Sequence, residues 1–257
     1  MPDIDTTKTF VLVHGSWHGG WCWRRVAHLL RSRGHRVFTP TLTGVGERSH
    51  LLSKDINLDT HIADIVNVFL WEDIEDACLV GHSYGGWPTS GALEKIGERV
   101  SSYVVLDGFV PLDGQRGIDV TNPDMRAATL AAIERGEAGR APPKAAFFKM
   151  NEADHAWVDS KLTPQPVGVA LQPIRLTGAR ERVKTKLYIR APIYPQPAFD
   201  DAYARCKADP TWRTLETTAG HDVMIDAPEW LAQVLIETAS GGLGAQGQAR
   251  LGRDLPR

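Results

Sequence analysis

One stretch constrains the fold of this chain more than any other. Ala77-Cys78-Leu79-Val80 is a short apolar run that reads as a buried strand, and Gly85 to Ile96 reads as a helix. Between them stands Gly81-His82-Ser83-Tyr84-Gly85. A strand that passes into a helix through so few residues must turn sharply, and only small residues fit two positions either side of the turn. That turn lifts the Ser83 hydroxyl above the sheet. The helix start that follows supplies free backbone N–H groups and a positive dipole end, where negative charge would develop. A glycine-x-serine-x-glycine is common by chance. The strand before it and Gly85-Gly86 after it give this one its weight, with Ser83 as nucleophile.

The rest of the chain repeats the same alternation, the pattern of βαβ units around a parallel sheet. Thr9 to His14 reads as a strand ending at Gly15, Arg24 to Arg33 as a helix closed by Gly34, and Arg36 to Thr39 as a strand. Leu58, Ile62, Ile65, Val66 and Phe69 recur at helical spacing and form one apolar face. Tyr103 to Leu106, Lys186 to Ile189 and Arg213 to Leu215 read as strands, and Pro228 to Thr238 as the last helix. Residues 111–182 break the rhythm with Pro123, Pro142, Pro143, Pro164, Pro166 and Pro173, leaving helical pieces such as Met125 to Arg135. A lid inserted between two sheet strands explains them better than a second domain with its own core. The expectation is one α/β domain over residues 1–240. Residues 241–257, rich in Gly, Gln and Arg, are expected to be a disordered tail.

A serine hydroxyl needs a base to take its proton, and imidazole titrates in the right range. Gly220-His221-Asp222 falls between the last strand and the last helix, the place for that base, which makes His221 the candidate. His14-Gly15-Ser16-Trp17 ends the first strand. A turn there points a backbone N–H at the nucleophile, so the expected oxyanion donors are the N–H groups of Ser16 and Tyr84. His18, His28, His35, His50, His61 and His155 lack such a setting and read as surface or packing residues, and His82 as part of the serine turn. The acid is open. Asp107 ends the strand Tyr103 to Leu106, where a buried carboxylate can fix the tautomer of the imidazole; its other reading is a cap for the turn at Gly108. Asp113 and Asp200 are the alternatives. Trp17, Trp87, Phe109 and Trp157 are candidate walls of an apolar substrate pocket.

Composition excludes other classes. Lys plus Arg is 29 against 31 Asp plus Glu, a net charge of −2, so nothing draws the chain to nucleic acid or an anionic membrane. Met1-Pro2-Asp3-Ile4-Asp5 is polar and acidic, unlike a secretory signal, and no apolar run is long enough to span a bilayer. Cys22, Cys78 and Cys206 are odd in number and widely spaced, which suggests neither a disulfide framework nor a zinc ribbon and fits a cytoplasmic protein. No His/Asp/Glu cluster has metal-ligand spacing, so neither a metal nor another cofactor is expected.

With these residues in place, the chain resembles the plant methylesterase and hydroxynitrile lyase family of the α/β-hydrolase fold and its bacterial esterase relatives. The resemblance is strongest from Phe10 through His14-Gly15-Ser16-Trp17-His18-Gly19-Gly20-Trp21-Cys22-Trp23, in Gly81 to Gly86, and in the strand leading to Asp107. It extends weakly over residues 8–110 and 183–239. Its implications are a mostly parallel central sheet flanked by helices, a Ser-His-Asp triad and cleavage of a small, aromatic or hydrophobic ester through an acyl-enzyme. The expected partner is that small-molecule ester, with a homodimer left open.

Departures sharpen the resemblance. Hydroxynitrile lyases of this group have threonine where this chain has Gly15, and lysine where it has Asp222. This chain therefore looks like the esterase branch. The family's usual acid follows the late strand, but here that loop reads Arg190-Ala191-Pro192-Ile193-Tyr194-Pro195, without a carboxylate. The run Thr41 to Arg48 looks like bacterial members that include esterases and a carbamate-cleaving hydrolase. Carbamate or amide hydrolysis and lyase-type C–C cleavage on the same residues are the enzymatic alternatives. A ligand-binding receptor of the same fold is the non-enzymatic one.

Overall fold

A computed structural model describes residues 7–242. The N-terminal segment read as lacking a signal and nearly all of the tail read as disordered lie outside the described residues. Six strands form one sheet: β1 (Thr9–Val13), β2 (Arg36–Phe38), β3 (Ala77–His82), β4 (Val100–Leu106), β7 (Thr185–Arg190) and β8 (Trp212–Glu216). Their order is β2-β1-β3-β4-β7-β8, and every neighbouring pair is parallel. Two further two-residue strands, β5 (Gly139–Arg140) and β6 (Gln165–Pro166), form a separate antiparallel ribbon.

The four inner strands, β1, β3, β4 and β7, are buried on both faces because helices cover both faces. Successive side chains point to opposite sides of a strand. Phe10 and Leu12 accordingly join Val80, Leu106 and Ile189 in one core, with α1 (Arg24–Ser32) and α9 (Pro228–Ala239) above it. Val11 and Val13 join Leu79, Val105 and Tyr188 in the other, under α2 (Leu58–Trp71), α3 (Gly86–Ile96) and α8 (Pro197–Ala208). Helix starts follow local chemistry. Asn57 and Thr60 make a reciprocal capping box at α2, and Pro197 and Pro228 occupy first helical positions, where a missing N–H costs nothing.

The proline-rich segment lies between β4 and β7. It contains α4 (Gly117–Val120), α5 (Pro123–Glu134), the β5–β6 ribbon, α6 (His155–Asp159) and α7 (Ala179–Arg182). It is tied into the body: Ala145, Phe148, Met150 and Val158 belong to the first core, and Val169 and Ile174 to the second. Among the described residues no helix is long and apolar enough to cross a membrane.

The parallel register gathers the chemistry at one edge. Val13 pairs with Gly81, His82 with Leu106, and Leu106 with Ile189. The segments after β1, β3, β4 and β7 therefore leave the sheet side by side, the general location of ligand sites in such sheets.

Candidate active site

Ser83 stands at the sharp turn between β3 and α3 with φ of 53°, in the left-handed region. For a residue with a side chain this costs on the order of 1–3 kcal/mol and persists only where the surroundings enforce it. Here the glycines enforce it. A Cβ on Gly85 would stand 2.8 Å from the His14 carbonyl oxygen, and one on Gly108 would stand 2.7 and 2.8 Å from the Ser83 oxygen and nitrogen. The Phe109 N–H donates to the Ser83 carbonyl at 3.2 Å, tying the turn to the segment after β4.

The turn after β1 is pinned by His14. Its Nδ1–H donates to the Gly15 carbonyl at 2.8 Å, and its Nε2 accepts from the Leu42 N–H at 3.0 Å, so the ring is one fixed neutral tautomer. Burial pushes its pKa down to about 3. Gly15 lies against the nucleophile: a Cβ there would meet the Ser83 Cβ at 2.8 Å and the His82 Nδ1 at 3.0 Å.

His221 and Asp107 meet across the end of the sheet. The Nδ1–H of His221 donates to Asp107 Oδ2 at 2.6 Å, and both residues are buried. Oδ1 of Asp107 accepts from the Ala191 N–H at 2.9 Å and from Arg190 Nη1 at 2.5 Å. The end of β7 and the loop after it, which lacks a carboxylate of its own, thus supply the donors that hold the carboxylate just after β4. Arg190 also donates through Nε to Asp200 at 2.8 Å. Burial opposes the charge of Arg190, but Asp107 outweighs it and the guanidinium pKa is raised. Tyr194 stacks on the His221 ring at 4.2 Å, with Phe199 at 5.7 Å and Phe148 at 6.0 Å.

The two other candidate acids are elsewhere. Asp113 is exposed and accepts from the Leu176 N–H. Asp200 is the outer partner of Arg190, and its side chain is 60% exposed.

A second charged cluster lies behind His221. His18 donates through Nδ1 to the Ser16 carbonyl at 2.7 Å and through Nε2 to Asp222 Oδ2 at 3.2 Å. An imidazole that donates from both nitrogens is protonated. Burial lowers the His18 pKa, but the charge and bond of Asp222 outweigh it and the net shift is upward. Burial raises the Asp222 pKa, and His18 overcomes this and holds it at about 2. His82 donates through Nε2 to the His221 carbonyl at 3.1 Å. His18 is thus more than a packing residue, and the sequence carries no local sign of a pair 204 positions apart.

A cavity of about 60 Å³ begins at Ser16 and Tyr84 and continues past Trp87, Phe109, Arg140 and Gln165. Two of the four candidate wall aromatics, Trp87 and Phe109, line it, with ring centroids 5.9 Å apart. The other two do not. Trp17 stands behind the wall, its N–H bonded to Gln165 and Arg140 stacked on its ring at 4.6 Å. Trp157 packs against Trp21 at 5.2 Å, beside Arg25. Among the described residues no group of three or more His, Cys, Asp or Glu is arranged to hold a metal ion.

A serine at a strained strand-to-helix turn, with a buried imidazole–carboxylate pair carried by other segments of the same parallel sheet, suits one large family. The model of the "Alpha/beta hydrolase family" matches residues 10–234. The chain belongs to that family. It is 37% identical over 235 residues to a carbendazim hydrolyzing esterase from Nocardioides, a match spanning 88% of this chain and 97% of the relative. It is 28% identical to a putative chloroplastic methylesterase of Arabidopsis thaliana over 74% of this chain and 60% of that protein. Among solved structures, an extracellular alpha/beta-hydrolase from a Paenibacillus species superposes with a TM-score of 0.78 at 22% identity, covering 90% of this chain and 98% of the other. At that identity the likeness shows the fold alone. With these relatives, this family member is an esterase on the α/β-hydrolase fold.

Proposed function

We propose that the chain hydrolyses small aromatic or hydrophobic carboxylic esters through a Ser83-His221-Asp107 triad. The observation that carries this is the 2.6 Å bond from His221 Nδ1–H to a buried carboxylate, at the sheet edge where Ser83 is held at φ of 53°. With Nδ1–H fixed on Asp107, Nε2 is the ring's unprotonated nitrogen and the one able to take a proton. His221 deprotonates Ser83, which attacks the ester carbonyl. The N–H groups of Ser16 and Tyr84 receive the oxyanion. His221 returns the proton to the departing alkoxide, then draws one from the water that releases the acid. Trp87 and Phe109 receive the apolar part of the substrate.

A second reading follows from the relative named for carbendazim hydrolysis, which matches almost its whole length. It is that this chain cleaves carbendazim by the same steps. One experiment tests both. Purified protein is given p-nitrophenyl acetate, a series of aryl and methyl esters, and carbendazim, with Ser83→Ala as control. Turnover by the wild type, reduced at least about 10³-fold in Ser83→Ala, is expected. Absence of turnover on every ester and on carbendazim would leave a binding protein of the same fold.

A further inference from the structure

Two residues that line the cavity carry buried N–H donors that the proposed reaction leaves unused. Arg140 and Gln165 are directly opposed across the β5–β6 ribbon, and both line the cavity. Arg140 is fastened by Nη1, which donates to the Met125 carbonyl at 3.1 Å and to Thr129 Oγ1 at 2.9 Å, and by its stacking on Trp17. Its Nε is buried with no acceptor. Gln165 uses Oε1 to accept from the Trp17 N–H at 2.9 Å, and its buried Nε2 likewise has no acceptor.

The two arginines that are buried as whole residues show what is missing. Arg180 has a carboxylate oxygen of Glu181 at 2.6 Å, and Arg190 has one of Asp107 at 2.5 Å. Arg140 has no carboxylate partner among the described residues, and burial draws its pKa down to about 10. A buried cation without a counter-charge and an amide N–H without an acceptor are both costly, and native structures rarely keep such groups without a reason. Trp17 holds both in place: its ring carries Arg140 and its N–H fixes Gln165. The two donors are therefore preorganised on one wall.

We propose that Arg140 and Gln165 form a subsite for a carboxylate carried by the ester substrate, away from the ester group cleaved at Ser83. The substrate class is then the monoester of a dicarboxylic acid, or an ester of a carboxylated phenol. The proposal rests on the esterase reading, and it makes the insertion between β4 and β7 the source of specificity. Trp87 and Phe109 take the apolar span, and the ribbon takes the anionic end.

Two matched pairs of esters test it. One is p-nitrophenyl butyrate against p-nitrophenyl hydrogen glutarate, with the acid on the acyl side. The other is phenyl acetate against 3-carboxyphenyl acetate, with the acid on the alcohol side. The ratio of kcat/KM for the acid to that for the neutral ester is measured in wild type, Arg140→Met, Arg140→Lys and Gln165→Leu. In one pair the wild type should favour the acid. Arg140→Met should lower that ratio about 10- to 100-fold, the worth of a hydrogen bond to a charged group. Arg140→Lys should recover part of it. Gln165→Leu should lower it by a smaller factor and gives a second readout if Arg140→Met does not fold. Equal ratios in all four proteins, or no preference for the acid in either pair, would overturn the subsite.

Calorimetric binding of monomethyl isophthalate to Ser83→Ala requires no turnover and separates this proposal from the esterase reading. Binding that is lost on adding Arg140→Met supports the subsite even if no ester is cleaved. Absence of binding, in a wild type that does cleave neutral esters, overturns the subsite and leaves the esterase reading standing.

Discussion

Asp107→Asn separates orientation of His221 from mere packing around it. In the native site Oδ1 of Asp107 accepts from two donors, the Ala191 N–H and Arg190 Nη1, while Oδ2 accepts from His221 Nδ1–H. An asparagine has one oxygen and one NH2. Turning the NH2 toward Ala191 and Arg190 would set it against two donors, so the amide oxygen must take the Oδ1 place. The NH2 then faces His221 and donates to Nδ1. That fixes the proton on Nε2, the nitrogen that has to accept the serine proton. Loss of the working tautomer is worth about 10⁴-fold in kcat, or about 5 kcal/mol of barrier at 1.36 kcal/mol per factor of ten. Stability should suffer less, by about 1–3 kcal/mol, because Arg190 keeps an acceptor and loses only the charge. The assay is kcat for p-nitrophenyl acetate in both proteins, with thermal unfolding run in parallel. A variant that remains folded and within about tenfold of wild type would refute the argument. Asp200→Asn is the control. It weakens an ion pair whose acidic side is 60% exposed, and such surface pairs contribute about 0–1 kcal/mol, so kcat should stay within about threefold.

Three further outcomes follow. Gly15→Ala places a methyl 2.8 Å from the Ser83 Cβ; neither backbone can yield cheaply, so kcat should drop at least tenfold, with about 1–3 kcal/mol of destabilisation by overpacking, and normal activity would show that the turn after β1 gives way. The His18–Asp222 pair should stabilise the fold within a bounded pH window. Asp222, held down to about 2, contributes stability above its ordinary value of about 3.9 and loses it as pH falls toward 2; His18, raised, contributes fully below about 6.5 and loses it as pH rises through its folded value. The melting difference between wild type and Asp222→Asn should thus be greatest between about pH 4 and 6.5, at roughly 3–5 kcal/mol, and a difference constant from pH 2 to 9 would remove the pair from the account. Cyanide release from mandelonitrile should be negligible beside ester hydrolysis, since Gly15 has no hydroxyl and the residue after His221 is an aspartate engaged with His18.

The sheet was legible because its inner strands are short apolar runs, and the longer helices begin or end near a glycine, a proline or a capping side chain. Arg24 to Arg33 became Arg24–Ser32, and Pro228 to Thr238 became Pro228–Ala239. Ser83 and His221 could be singled out as candidates because a strand-to-helix turn and a late glycine-histidine loop are local patterns. The acid was ambiguous because the preference for Asp107 depends on strand pairing. Only when Leu106 lies beside Ile189 do Arg190 and Ala191 reach the Asp107 carboxylate. The same limit hid His18, whose partner is fixed by the fold and not by spacing. Trp157 was misplaced, and Arg140 and Gln165 overlooked, because the insertion lacks the periodicity that tells a wall from a surface. A ribbon with two residues per strand leaves no pattern to read.

The most direct test of the central claim is to catch the acyl group on the enzyme. Wild-type protein turning over p-nitrophenyl butyrate is quenched in acid within the first turnover, digested, and measured by mass spectrometry. A butyryl mass on the peptide containing Ser83 is expected, with fragment ions placing it on the Ser83 oxygen. It should accumulate further in His221→Ala after forced acylation with a more activated ester, since no base then draws on the deacylating water. An acyl group found only on another residue, or Ser83→Ala hydrolysing the ester at the wild-type rate, would contradict the assignment of Ser83 as the nucleophile.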